Sequence, residues 1–150
     1  MGIKTVKWFI DNNLIKKDTN IDPAQVLVII KKARRTIKSA KLILEDDQEN
    51  SYQLAYEAML LAGRALVFSF GCRPRAAGSH KIVVDFTNNV LGKNASNLVY
   101  KFNKMRKRRH YLIYGSGLYI SEVDSNNAIK SAKKFLVLII KYVKKQSRKA

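Results

Sequence analysis

Residues 22–46 read DPAQVLVIIKKARRTIKSAKLILED. Val26, Ile30, Ala33, Ile37, Ala40 and Leu44 recur at spacings of 4, 3, 4, 3 and 4, the period of one face of an α-helix. Lys31, Lys32, Arg34, Arg35, Lys38 and Lys41 fill much of the remaining surface, so the segment is an amphipathic helix with a single apolar stripe. It begins at Asp22, with Pro23 at the first helical position, where a missing backbone N–H goes unnoticed. A stripe of this kind is stable only against other helices, and the rest of the chain supplies them.

Asp46–Asn50 forms a turn, and Ser51–Phe70 is the next helix, with Leu54, Ala58, Leu61, Ala65 and Phe68 repeating at 4, 3, 4 and 3. The small residues Ala55, Ala62 and Gly63 let a neighbouring helix approach closely. Gly71 ends this helix, and residues 71–78, GCRPRAAG, read as a basic loop. Ser79 is then a candidate cap for a helix to Leu91 carrying Ile82, Val83, Phe86 and Val90. His80, in its first turn, reads as a histidine at a helix start, where the dipole disfavours its protonated form, rather than as a catalytic group. Upstream, Thr5–Leu14 is a short amphipathic helix with Trp8 and Phe9. Downstream, a last helix from about Asp124 to Lys145 turns Ile129, Ala132, Leu136, Ile139 and Val143 inward and ends in a frayed basic tail. No internal repeat and no strand-period segment interrupts the series. The expectation is an all-α, antiparallel up-and-down helical bundle of about five or six helices, one domain over 1–150 with its core at about 22–143 and a basic tail at 144–150.

One helix departs from this plain pattern. Residues 94–117, NASNLVYKFNKMRKRRHYLIYGSG, open on an Asn cap and close on glycines, and Gly115 and Gly117 are too few for a dinucleotide or phosphate loop, so they read as a stop and a turn. Leu98, Phe102, Met105 and Leu112 share a stripe, and Arg109 falls close to its centre. An arginine facing inward requires a carboxylate, a phosphate or a partner subunit, because an unpaired buried charge costs about 3–5 kcal/mol. Arg106 and His110 stand one turn apart on the shoulder of the same stripe. Glu57 lies beside the stripe of the preceding long helix and is the intrachain candidate to pair with Arg109.

The charge is lopsided. The chain has 150 residues, 29 Lys and Arg against 11 Asp and Glu, and a formal charge of +18, a field that attracts polyanions and speeds their encounter. Acidic residues gather at Glu45, Asp46, Asp47 and Glu49, and none occurs between Phe86 and Ser121 or after Asp124. The single cysteine, Cys72, excludes an internal disulfide and fits a reducing, cytoplasmic setting. Two histidines thirty residues apart and scattered carboxylates give no metal-ligand spacing, so neither a metal nor another cofactor is expected. No apolar run approaches a membrane span, and the opening MGIKTVKWF lacks a signal-peptide core.

The order of features, SYQLAYEAMLLAGRALVFSFGCRPRAAGSHKIVVDF, then RKRRHYLIYG, then SEVDSNNAIKSAKKFLVLIIKYV, resembles the HEPN family (higher eukaryotes and prokaryotes nucleotide-binding) over roughly Asp22–Val143. The resemblance implies a bundle of four or five helices, a two-fold homodimer and, in many members, a metal-independent endoribonuclease of toxin–antitoxin or defence systems. The family's motif is an arginine, often followed by a polar residue, then a histidine after four to six intervening positions. Here Arg109 matches the arginine, His110 the polar position, and Tyr114 stands where the histidine belongs; alternatively, Arg106 pairs with His110 with three residues between. Metal-free cleavage of RNA needs proton transfers suited to histidine and a cation for the charged phosphorane, and tyrosine, with a pKa of about 10, is a poor base. A two-fold dimer would bring two copies of Arg109 and His110 to one cleft.

On this reading Arg109, His110, Arg106 and Tyr114 are the candidate catalytic residues, Lys101, Lys104, Lys107 and Arg108 guide RNA, and Glu57 supports them. Two other readings stay open. One is a non-catalytic HEPN module binding RNA or a nucleotide. The other is a dimeric interaction protein, for instance the partner of a nucleotidyltransferase-type antitoxin, in which Arg109 ties two copies together.

Overall fold

The structure, a computed structural model, describes residues 4–114 and 119–149. It is an all-α helical bundle with a very small sheet, in the order α1 (Val6–Asp11), β1 (Ile15–Lys17), α2 (Pro23–Leu42), α3 (Gln48–Ser69), β2 (Cys72–Pro74), α4 (Ser79–Leu91), a 3-10 turn (Lys93–Ala95), α5 (Ser96–Tyr114) and α6 (Glu122–Lys149).

Helix α2 follows from its stripe. Asp22 caps it with a reciprocal box in which its side chain accepts from Gln25 N while Gln25 Oε1 accepts from Asp22 N. Val26, Ile30, Ala33, Ile37 and Ala40 are all buried, and each isoleucine removed from water contributes about 1.5–3 kcal/mol. The helix stops at Leu42, so Leu44 packs on the core from the turn. That turn is pinned by Ser51 Oγ, which donates to Ala40 O at 2.7 Å with the serine fully buried. The start of α3 thus lies against the end of α2, and the two helices are antiparallel.

Helix α3 is the central post. It is capped by Asp47, whose side chain accepts from Asn50 N, and its buried residues surround most of the helix: Tyr52, Ala55, Tyr56, Met59, Leu60, Ala62, Gly63 and Leu66 among them. Its many small residues allow α2, α4, α5 and α6 to pack on it together. Ser125 Oγ, in the first turn of α6, donates to Gln48 O at 2.6 Å, so α6 starts level with α3. Phe102 stacks between Tyr56 (5.8 Å between centroids) and Phe135 (5.2 Å), joining α3, α5 and α6 at the centre of the core.

Several details differ from the sequence expectation, beginning with bounds: α1 ends at Asp11 rather than Leu14, α2 at Leu42 rather than about Asp46, and α3 starts at Gln48 rather than Ser51. Residues 15–17 and 72–74 form an antiparallel pair, with Lys16 opposite Arg73, although neither is long enough to show a strand period. The pair carries the chain back from the end of α3, so α4 begins beside Tyr56 and advances along α3 to Gly63. Ser79 is the first residue of α4 rather than its cap. The cap position is Gly78, in the left-handed region at φ +69°, a conformation a side chain resists, and no side chain caps the helix. Asn94 belongs to the 3-10 turn rather than capping α5. Helix α6 opens at Glu122, behind a reciprocal Ser121–Asp124 box, and continues through the basic tail to Lys149. Gly115 and Gly117 lie outside the described residues. Among the described residues no helix is long and apolar enough to cross a membrane.

Candidate functional site

The approach of α4 to α3 builds the site. Gly63 has no side chain where α4 crosses it; a Cβ there would stand 2.4 Å from Val83 Cγ1 and 3.3 Å from Thr87 Cγ2. This closeness places His80, in the first turn of α4, against Tyr56 of α3. The Tyr56 hydroxyl and His80 Nδ1 are 2.9 Å apart and their rings lie at 5.9 Å, tilted by 33°. Tyr56 is fully buried, His80 half-buried.

Helix α5 closes the cluster from the other side. The Arg109 guanidinium sits over the Tyr56 ring, with Cζ 5.7 Å from the centroid, a geometry in which the ring's quadrupole attracts the cation. Arg106, one turn earlier, is held by a bond from Nε to Asn103 Oδ1 at 3.0 Å. Glu57 and Arg64 of α3 complete the group, since their charges, with those of Arg109 and Arg106, act on both Tyr56 and His80. The charges of three guanidiniums and one carboxylate therefore act on one imidazole and one phenol.

Electrostatics fixes their protonation. Burial pushes the His80 pKa below its ordinary value, Arg109 and Arg64 push it further, Glu57 opposes them, and Arg106 adds a smaller push in the same direction. The free protein thus holds a neutral imidazole near pH 7. Burial raises the Tyr56 phenol well above its usual range, against the pull of Arg109 and Arg106, so it stays protonated. Its hydroxyl can donate to Nδ1 or accept from it, according to the tautomer. A region rich in cations, with a neutral base and a fixed hydroxyl, is suited to an anionic ligand that carries a proton to be removed.

The residues singled out by sequence divide between faces of α5. Arg109 lies over Tyr56, and Arg106 acts on the cluster through its charge. Arg109 is half-buried on the apolar seam, as its place on the stripe implied, but its described partner is an aromatic ring; among the described residues no ion pair joins it to Glu57. His110 is exposed and meets Tyr111 edge-on at 6.2 Å. Tyr114 is the last residue of α5, and its side chain lies outside the described residues. Arg108 turns the opposite way, 5.2 Å over Tyr52 and 3.6 Å from Asp124 Oδ2, so it ties α5 to α3 and α6. Lys101 and Lys104 face α6 beside it, and Lys107 is exposed.

Sequence reasoning set His80 aside as a histidine at a helix start and did not single out Tyr56 or Arg64. His80 is 24 residues from Tyr56 and comes from a different helix, so no local spacing connects them. The one available signal was the run of small residues at Ala62 and Gly63, which marks where another helix can come close. Among the described residues no group of His, Cys, Asp and Glu could hold a metal ion.

A family model described as the HEPN domain matches residues 26–144. The match begins inside α2 and ends inside α6, so it takes in the whole cluster and leaves out α1 and β1. No curated protein matches the chain.

Proposed function

The chain belongs to the HEPN domain family, and from that premise we propose that it binds RNA and cleaves it without a metal ion, as an endoribonuclease of a toxin–antitoxin or defence system, with the cluster around His80 as its reactive centre. The observation that carries this reading is the meeting of His80, Tyr56 and Arg109 from three helices. In the register that takes Arg109 as the motif arginine, the family's histidine position holds Tyr114, and on this reading His80 supplies an imidazole from α4 instead.

In this mechanism Arg109, Arg106 and Arg64 receive the scissile phosphate. The Tyr56 hydroxyl accepts from Nδ1–H, which leaves Nε2 free to take the proton of the 2′-OH as that oxygen attacks phosphorus. The bond to the 5′-oxygen then breaks, leaving a 2′,3′-cyclic phosphate. A phosphate among the guanidiniums offsets the charges that oppose protonation of His80, so the imidazolium persists long enough to return the proton to the departing 5′-oxygen. His110, one turn beyond Arg106, is the second candidate for that donation. Partial burial over Tyr56 strengthens the interaction of the Arg109 guanidinium with charge developing on the phosphorane.

The test is incubation of the purified protein with RNA and with its 2′-deoxy analogue in EDTA from mildly acidic to mildly basic pH. Cleavage of RNA alone is expected, and His80→Gln should lower the rate about 100-fold or more, the usual contribution of a positioned acid–base group. RNA left intact throughout by a folded protein would overturn the catalytic reading. The alternative, a non-catalytic module that grips RNA, draws on the tyrosine at position 114. It predicts that Arg109→Ala weakens binding and its salt dependence while His80→Gln leaves both unchanged.

A further inference from the structure

Helix α5 carries a second set of cations that does not enter the cluster. Lys101, Lys104 and Arg108 line a groove of about 390 Å³ whose opposite wall is α6, with Lys130 and Lys134. The four lysines are exposed, and like charges are held facing one another along the groove. Asp124 is the acidic residue lining it, and that carboxylate is already engaged by Ser121 N and Arg108. Opposed ammonium groups whose neighbouring carboxylate is already engaged repel, and an anionic chain laid along the groove relieves the repulsion by releasing its own counterions. Asn127 and Ser131 add neutral hydrogen-bonding groups to the lining.

The helix face beside the groove is aromatic. Tyr100 and Tyr111 are 66% and 63% exposed, and at 100° per residue they share the outward side of α5 with Lys107, next to Lys104 at the groove's edge. Eleven residues of helix set them roughly 16 Å apart. Exposed ring faces next to a basic groove are the combination by which proteins hold unpaired bases, stacking the bases while the cations follow the backbone. An acidic polypeptide would use the lysines and leave the rings without a function.

We propose that the α5–α6 groove, framed by Lys101, Lys104, Lys130 and Lys134 and flanked by Tyr100 and Tyr111, is a binding track for single-stranded nucleic acid, separate from the His80 cluster. The track is independent of whether the cluster cleaves RNA.

Fluorescence anisotropy with a short labelled oligouridylate, 2′-O-methylated so that it cannot be cleaved, measures binding across a series of salt concentrations. Lys130→Gln with Lys134→Gln should weaken binding about tenfold or more and reduce the log–log salt slope by about 1.4, two phosphate contacts at roughly 0.7 each. Tyr100→Ala should weaken binding and leave the slope in place. A deoxy oligomer bound as well as the 2′-O-methyl form supports a general single-strand track, and a preference for the 2′-O-methyl form supports an RNA track. Wild-type affinity and slope in the double-lysine variant would overturn the proposal. So would displacement of the oligomer by polyglutamate of equal charge at equal concentration, which would mark the groove as a surface for acidic protein. Cleavage is scored separately on unmodified RNA, so a failure of the ribonuclease reading leaves this result intact.

Discussion

Replacing Gly63 with alanine should destabilise the protein, although the same change in an open helix does the reverse. Glycine in a helix interior costs about 1 kcal/mol relative to alanine, so an unobstructed substitution would raise stability by roughly that amount. Here the added Cβ would sit 2.4 Å from Val83 Cγ1, well inside the roughly 3.5–4.0 Å at which carbon atoms rest. Val83 is fully buried, short and β-branched, with little freedom to swing aside. Relief must come from α4 moving outward by about 1 Å, at the upper end of the roughly 1–3 kcal/mol that overpacking costs. Subtracting the propensity gain leaves a net loss of about 2 kcal/mol. For a chain of this length that lowers Tm by about 4–8 °C, read by thermal unfolding alongside urea midpoints. The movement also draws His80 away from Tyr56, so the His80 imidazole should titrate closer to its ordinary value in a histidine NMR experiment. A Gly63→Ala protein as stable as wild type, or more so, would show that α3 and α4 are not in close contact and would refute the geometry on which the site depends.

Three further outcomes are expected. Ser51→Ala removes the buried bond to Ala40 O and should cost about 1–2 kcal/mol in urea unfolding, because the carbonyl is left without its donor. Asp22→Ala deletes the cap of α2 and should cost about 1 kcal/mol, with Asn at the same position restoring most of it. His80 should titrate below about 6.5, since its pKa is lowered by burial and by Arg109. The unfolded chain then takes up the proton first as pH falls, so this histidine's contribution to stability is intact above about 6.5 and declines below it toward the lower folded value. Wild type should therefore lose more stability than His80→Gln between mildly basic and mildly acidic pH, and added phosphate should move the His80 titration upward.

Most of the architecture could be read from the chain because it rests on local periodicity. The stripe from Val26 to Ala40 is buried as its 4,3 spacing demands. The small residues of α3 mark it as the helix that others approach. Arg109 falls on the seam of α5, where counting along the helix puts it. The short β1–β2 pair was not legible, because three-residue strands carry no period, and it is their pairing across more than fifty residues that returns the chain to start α4 beside Tyr56. The division of α5 into two cationic faces was equally hidden. Its run of Lys and Arg reads as one patch until α3 and α6 occupy different sides of it.

Sequence alone determined that this is a basic helical bundle with an arginine on an inward stripe, since a side chain's place around a helix depends only on its spacing from its neighbours. Which imidazole shares Tyr56 with that arginine was decided by the tertiary structure. His80 reaches the cluster only because Gly63 leaves room for α4 to lie close on α3, and a contact between helices depends on shape at the crossing point, which no count along one strand of sequence contains.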